Sequence, residues 1–147
     1  MSLIDAIIQI AAAGLGTFGF GILFNLRGKR LWWTSLGGLL GWALFLALGL
    51  LMEGEPIRYL IVSICTTVYS EIIARKLKTP VTTACIITLI PLVPGGALYN
   101  ATTAALSGDM DLFIPRLVHT AELAVAMSLG IVIVTAVFTH LLGKKHK

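Results

Sequence analysis

The amino-acid sequence predicts an all-α integral membrane protein with about five transmembrane helices, the fourth broken at a Pro-x-x-Pro-Gly-Gly element. The first indication is composition. Of the 147 residues, 57% are hydrophobic and 12% are charged, and the mean hydropathy is +0.94. A soluble domain of this size is much less apolar. The second indication is that the apolar residues form separate segments of membrane-spanning length.

The five apolar segments cover residues 3–24, 34–52, 57–74, 81–106 and 117–142. Each can cross a hydrocarbon core of about 30 Å, because an α-helix rises about 1.5 Å per residue. The first segment is expected to remain as a helix, since it carries Asp5 and lacks the basic residues of a cleavable signal peptide. The loops are short, so residues 1–147 are expected to form a single transmembrane helical domain.

The charged residues of the loops predict the orientation. The formal net charge of +4 comes from clusters between the apolar segments rather than from one basic face, which argues against nucleic-acid binding. The basic clusters are Arg27, Lys29 and Arg30; Arg75, Lys76 and Lys78; and Lys144, Lys145 and Lys147. The acidic segment ends carry Asp5, Glu53 and Glu55, and Asp109 and Asp111. By the positive-inside rule, we expect the N-terminus outside and the C-terminus in the cytoplasm, with Arg58 and Arg116 outside.

The break in the fourth segment is the most informative feature of the chain. Pro91 and Pro94 lack an N–H group, so they are expected to free the carbonyls of Ile87 and Ile90. Gly95–Gly96 would then let the backbone turn. A membrane protein tolerates such a break only where protein or a water-filled cavity surrounds it, and transporters use this arrangement to hold substrate.

The position of the break predicts a substrate site. Pro91 follows Val81 by ten residues, or roughly 15 Å, which is near the middle of the bilayer. Residues 97–106 would restart as a half-helix whose N-terminal N–H groups suit a carboxylate. The candidate substrate-binding residues are Pro91, Pro94, Gly95, Gly96, Ala97, Tyr99 and Asn100. The alternative is that the prolines only kink a helix for packing.

Two acidic residues lie within the apolar segments. Glu71 precedes Arg75 by four residues, so it either forms an ion pair near the interface or serves as a protonatable carboxylate. Glu122 follows His119 and Arg116 at steps of three, which places the three on one helix face. We therefore consider Glu71, Arg75, Glu122 and His119 as proton-coupling candidates, with a purely structural polar network as the alternative for each pair.

The remaining polar and small residues favour helix packing. Asn25 and Thr88 are further polar candidates, although such residues more often join helices by hydrogen bonds. The glycines of the first two segments are expected to let helices approach closely. They are Gly14, Gly16, Gly19, Gly21, Gly37, Gly38 and Gly41. The histidines are scattered and no nucleophile has a neighbouring base, so we expect no metal, no cofactor and no enzyme activity.

Several stretches of the chain resemble the threonine/serine exporter family. They are Phe24-Asn25 before a basic loop, Glu71-Ile-Ile-Ala-Arg75 with Pro80 after it, and Ile90-Pro-Leu-Val-Pro-Gly-Gly-Ala-Leu-Tyr99. The resemblance covers essentially the whole chain. It is strongest to the small-subunit half, as in the split succinate exporters of bacteria. It implies a secondary exporter of small amino acids or dicarboxylates in the bacterial inner membrane, working with a larger partner subunit.

The expected function is therefore that of a membrane subunit of a secondary exporter. Its substrate would be a small carboxylate-bearing metabolite, either a threonine/serine-type amino acid or a dicarboxylate such as succinate. The partner would be a larger subunit of the same family, a second copy of this chain, or both. A structural or assembly subunit that does not itself bind substrate is the alternative.

Overall fold

The computed structural model describes residues 3–143 and contains six α-helices in that range. They are α1 (Leu3–Leu23), α2 (Lys29–Gly49), α3 (Glu55–Lys76), α4 (Val81–Leu89), α5 (Gly95–Leu106) and α6 (Met110–Gly143). A 3₁₀ turn, Ile90–Leu92, follows α4. Four of the helices are long and apolar enough to cross a membrane, and α4 and α5, which meet at a bend of 58°, together have the length and composition of a fifth span or of a re-entrant loop. The predicted fold class is thus confirmed.

Two helices, α2 and α6, begin more than one turn earlier than the apolar segments that predicted them. α2 starts at Lys29 and α6 at Met110, whereas the apolar segments start at residues 34 and 117. Hydropathy marks the part of a helix that suits hydrocarbon, and a helix can continue beyond it into the polar interface. With 34 residues, α6 is about 51 Å long, so it exceeds a hydrocarbon core of about 30 Å.

Glycines of α2 allow the centre of the bundle to pack closely. A Cβ at Gly37 would lie 2.5 Å from the Tyr69 ring of α3 and 2.7 Å from the Thr88 methyl of α4. A Cβ at Gly38 would overlap the Thr17 side chain of α1. These contacts agree with the close packing expected for α2, and they place α2 between α1, α3 and α4.

The α1 glycines divide into two faces. Gly14 and Gly21 face α2, where an added Cβ would meet Leu39 and Leu31, respectively. Gly16 and Gly19 have no atom within 4 Å of such a Cβ, so this face of α1 makes no close contact within the described chain. The expected role in close packing therefore applies within this chain to only half of the α1 glycines.

α6 joins the central helices to α5. Gly130 packs against the Ser63 side chain of α3, and Leu123 is buried in the core with Phe45, Val62 and other apolar residues. α5 packs mainly against α6 and buries Ala101 and Ala104. α5 therefore lies at the side of the bundle and is attached to it through α6, which packs against α3.

The two ends of the bundle differ in charge, and we name them accordingly. The acidic end carries Asp5, Glu53, Glu55, Asp109 and Asp111. The basic end carries the first two basic clusters, while the third, Lys144, Lys145 and Lys147, lies outside the described residues. Arg30 Nε donates a hydrogen bond to the Leu77 carbonyl at 3.1 Å, which joins the two loops of the basic end.

Candidate functional site

The break between α4 and α5 is produced at Val93 and Pro94. Val93 has the extended conformation (φ −59°, ψ 126°) that a residue before proline prefers, and this ends the helical path. The carbonyls expected to be free are not free. Ile90 N–H bonds to the Ile87 carbonyl, and Val93 N–H bonds to the Ile90 carbonyl at 3.2 Å. The 3₁₀ turn supplies i→i+3 partners that an α-helix containing Pro91 could not, so this expectation was wrong.

Pro91 lies level with the middle of the first two helices. It lines a cavity of about 240 Å³ together with Gln9, Ala12 and Ala13 of α1 and Trp42 of α2. These residues lie near the centres of helices that run from Leu3 to Leu23 and from Lys29 to Gly49. The break therefore begins about halfway along the first two helices, and its depth in the bilayer stays a prediction.

Gly95 and Gly96 differ from the expectation in their backbone. Neither has the positive φ that favours glycine; among the described residues, the glycines with that conformation are Gly28 and Gly108. The turn is thus made by Val93 and Pro94, and glycine is not needed for it. An added Cβ at either glycine would meet no atom within 4 Å. Pro94 offers no side-chain cap to the first turn of α5, where Gly95 N–H bonds to the Val93 carbonyl at 2.6 Å.

A groove between α5 and α6 brings predicted substrate-binding residues of α5 together with a proton-coupling candidate of α6. Its volume is about 380 Å³, and Ala97, Asn100, Pro115, Arg116 and His119 line it. Arg116 Nη1 donates a hydrogen bond to the Asn100 carbonyl at 3.1 Å, which positions the guanidinium beside α5. Ala97, Asn100 and His119 were candidates from the sequence. Arg116 was known only as a neighbour of His119, because the pairing of α5 with α6 could not be inferred from spacing.

His119 stands between two carboxylates. Its Nε2 lies 3.0 Å from Glu55 Oε2 of α3, and its Nδ1 lies 3.8 Å from Glu122 Oε2. The His119 and Glu122 candidates are therefore adjacent, as a spacing of three predicted. Glu55 was not a candidate, since the sequence showed it only as a loop charge. The cluster joins α3 to α6 and lies at the acidic end beside the groove.

Other predicted residues at the break lie outside this groove. Tyr99 is 71% exposed and is not part of the groove lining. Pro91 faces the small cavity against α1 and α2. Pro94 is half-buried at the N-terminus of α5. Of the predicted substrate-binding residues, Pro91 thus faces α1 and α2, whereas Ala97 and Asn100 line the groove between α5 and α6.

Glu71 forms the predicted ion pair with Arg75. Glu71 Oε2 lies 2.6 Å from Arg75 Nη2, and the exposed fraction is 4% for the Glu71 side chain and 45% for that of Arg75. The Arg75 guanidinium also lies 5.7 Å from the centre of the Phe138 ring of α6. The carboxylate is therefore buried while its partner reaches the surface of the basic end, remote from the groove.

The two further polar candidates have local structural contacts. Thr88 Oγ1 lies 2.6 Å from Ser70 Oγ, which joins α4 to α3 by a buried hydrogen bond. Asn25 has a left-handed backbone (φ 58°) just after α1, where Leu26 N–H bonds to the Gly21 carbonyl. This is how a helix C-terminus commonly closes, and asparagine tolerates the conformation well.

Comparison with known families agrees with the residues and geometry described above. The family model described as "Threonine/Serine exporter, ThrE" matches residues 9–137, which include the break, the groove and the Glu71–Arg75 pair. Comparison with curated proteins and with solved structures found no matching protein. The apolar helices agree with a multi-pass membrane protein. The chain is a member of the threonine/serine exporter family.

Proposed function

We propose that the chain is a membrane subunit of a secondary exporter for small carboxylate-bearing metabolites, either threonine/serine-type amino acids or dicarboxylates such as succinate. The observation that carries the proposal is the position of Arg116, which lines a groove of about 380 Å³ with Ala97 and Asn100 of the broken span. The proposed location is the bacterial inner membrane, with the basic end in the cytoplasm.

The groove has the chemistry to bind a carboxylate. A guanidinium carries five N–H donors, and one of those of Arg116 is used by the Asn100 carbonyl. The others can bind a carboxylate with paired hydrogen bonds. The first turn of α5, which has no side-chain cap, adds the partial positive charge of a helix N-terminus beside Ala97, although Gly95 N–H is already bonded to the Val93 carbonyl. A volume of about 380 Å³ lies within the range of small-molecule sites, about 300–1,000 Å³.

The groove is open on one side, which supports a partner. Asn100, Pro115 and Arg116 are exposed, and so is the outward face of α5. The open side leaves room for a second protein to pack over the exposed groove residues. A larger subunit of the same family, or a second copy of this chain, would supply the missing wall.

The same openness favours a second candidate function, that of an assembly subunit. In that case the partner alone would hold substrate, and Arg116 would bind a carboxylate of the partner protein. The two functions differ in what Arg116 contacts: substrate in the first and the partner in the second.

Transport by the reconstituted assembly distinguishes these functions. The chain would be purified together with the products of its neighbouring genes, and export of threonine, serine and succinate would be measured per assembled complex. We expect Arg116→Gln to lower export by about tenfold or more, because a hydrogen bond to a charged group is worth about 1.5–3 kcal/mol. Lys76→Gln, which removes the same charge at the basic end, is the control and should have no such effect.

The two functions predict different results for Arg116→Gln. Lower export with an intact complex supports substrate binding at the groove. Loss of the complex itself in Arg116→Gln would favour the assembly function. Full export by the chain alone, as a monomer, would contradict the need for a partner.

A further inference from the structure

A second groove lies between α1 and α2, on the side of the bundle away from α5. Its volume is about 340 Å³, and its lining is almost entirely apolar. It extends from Phe18 and Trp32 to Ala11 and Leu39. The groove therefore runs along the two helices from the basic end toward their middle.

Local packing explains why this groove exists. Gly14 of α1 lets Leu39 of α2 approach, so the helices touch at the deep end of the groove. At the other end, the Phe18 and Trp32 rings are 5.3 Å apart and tilted by 56°, and Trp32 is 68% exposed. The large side chains form the walls, while the small residues of α1 leave the floor open.

Two basic residues precede Trp32 along the chain at the Phe18–Trp32 end, or mouth, of the groove, although neither is among its lining residues. On α2 the lining residues Trp32, Ser35 and Leu39 follow helical spacing, and Lys29 lies on the same face one turn before Trp32. Arg27 lies in the adjoining loop and is also exposed. Residues 17–38 contain no Asp or Glu. Among the described residues, the only basic side chain at this end with a carboxylate partner is Arg75.

An apolar groove with two exposed basic residues close to one end has the shape and charge of a phospholipid site. Tryptophan prefers the level of the lipid headgroups, so Trp32 places the mouth of the groove at that level. Basic residues beside membrane helices attract anionic headgroups. The topology rule accounts for the sign of the loop charges, but it does not account for an apolar groove that leads to them.

We infer that this groove binds an anionic phospholipid, with one acyl chain along α1 and α2 and the phosphate at Lys29 and Arg27. The ligand belongs to the leaflet at the basic end. The site is independent of the carboxylate groove between α5 and α6. Its existence therefore does not depend on the proposed transport function.

Lipid retention by the purified protein tests this inference. The protein would be mixed in mild detergent with phosphatidylglycerol or phosphatidylcholine, and bound lipid would be counted by native mass spectrometry. We expect wild-type protein to retain phosphatidylglycerol preferentially. Lys29→Gln should reduce this retention about fivefold, which corresponds to about 1 kcal/mol for one basic residue near an anionic headgroup. Lys76→Gln is the matched control and should retain the lipid.

A second pair of variants tests the apolar part of the site. Ala11 is exposed and lines the groove, so Ala11→Trp should fill it without disturbing the core and should lower retention with Lys29 intact. Ile8→Trp, on the exposed part of α1 outside the groove, is its control. Equal retention of the two lipids, or equal loss in Lys29→Gln and Lys76→Gln, would overturn the inference. So would loss of self-association or of a partner in Ala11→Trp with unchanged lipid retention, since the groove would then bind a helix.

Discussion

Two pairs of glycines in this chain have opposite surroundings. A Cβ added at Gly37 or Gly38 of α2 would overlap side chains of α1, α3 or α4, whereas one added at Gly95 or Gly96 of α5 would meet no atom within 4 Å. None of the four has a positive φ. The backbone conformation is therefore not the reason for glycine at either place.

The difference teaches that glycine serves helix contact in α2 but not at the start of α5. In α2, the absence of a side chain lets three neighbouring helices approach, which is how membrane helices commonly associate. At the start of α5, the space is open within this chain, so glycine gains nothing in internal packing. Under the proposed function, this open space would give the substrate or a partner access to the break.

The largest effect is expected for Gly38→Leu. Even the first carbon of the new side chain would overlap Thr17, whose hydroxyl is bonded to the Ala13 carbonyl of α1. Overpacking of this kind costs about 1–3 kcal/mol or more. We expect little assembled protein, with early thermal unfolding in detergent as the measurement. Normal yield and thermal stability would show that α1 and α2 are not closely packed.

The same substitution at the break, Gly95→Leu, should have the reverse result. The chain has room for the side chain, so the amount and thermal stability of the protein should stay near those of wild type. Export per assembled molecule should be nearly abolished, because the side chain occupies the approach to the α5 N-terminus. Near-normal export per assembled molecule would show that the substrate does not contact the break. Reduced assembly with normal specific export would instead assign the break to packing.

A smaller effect is expected for Glu71→Gln, which tests whether the closely packed region only supports the fold. The amide keeps the size of the side chain but cannot change charge. We expect the protein to remain in the membrane, with export reduced and its dependence on pH altered. Glu53→Gln, in the loop before α3, is the control. Unchanged export with an unchanged pH profile would leave Glu71 as the ion-pair partner of Arg75 alone.

The last prediction concerns orientation rather than activity, and it identifies the side of the membrane that each region faces. Single cysteines at Glu55 and Asp109 should react with an impermeant thiol reagent added to intact cells, whereas one at Lys145 should not. Cys65 and Cys85 would be replaced by alanine beforehand. Labelling at position 145 without labelling at positions 55 and 109 would reverse the assigned orientation.

The sequence predicted the helices better than their ends, and contacts within one helix better than contacts between helices. The long apolar segments identified every span, but the first turns of α2 and α6 were missed because charged residues there interrupt the apolar runs. Within the candidate site, spacing along one helix predicted that His119 and Glu122 are adjacent. The contacts of His119 with Glu55 and of Arg116 with Asn100 join different helices, so no spacing could reveal them.

The sequence by itself determined the membrane-spanning character and the bend in the fourth span, and it gave the Glu71–Arg75 pair as one of two alternatives, because these depend on composition or on neighbours along one helix. Only the tertiary structure decided which glycines are packed and which are open, and that the α5 N-terminus lies near Arg116. These features depend on which helix faces lie together. In a chain that is apolar on nearly every face, hydrophobicity does not choose among faces, and the fit of small residues and polar pairs does.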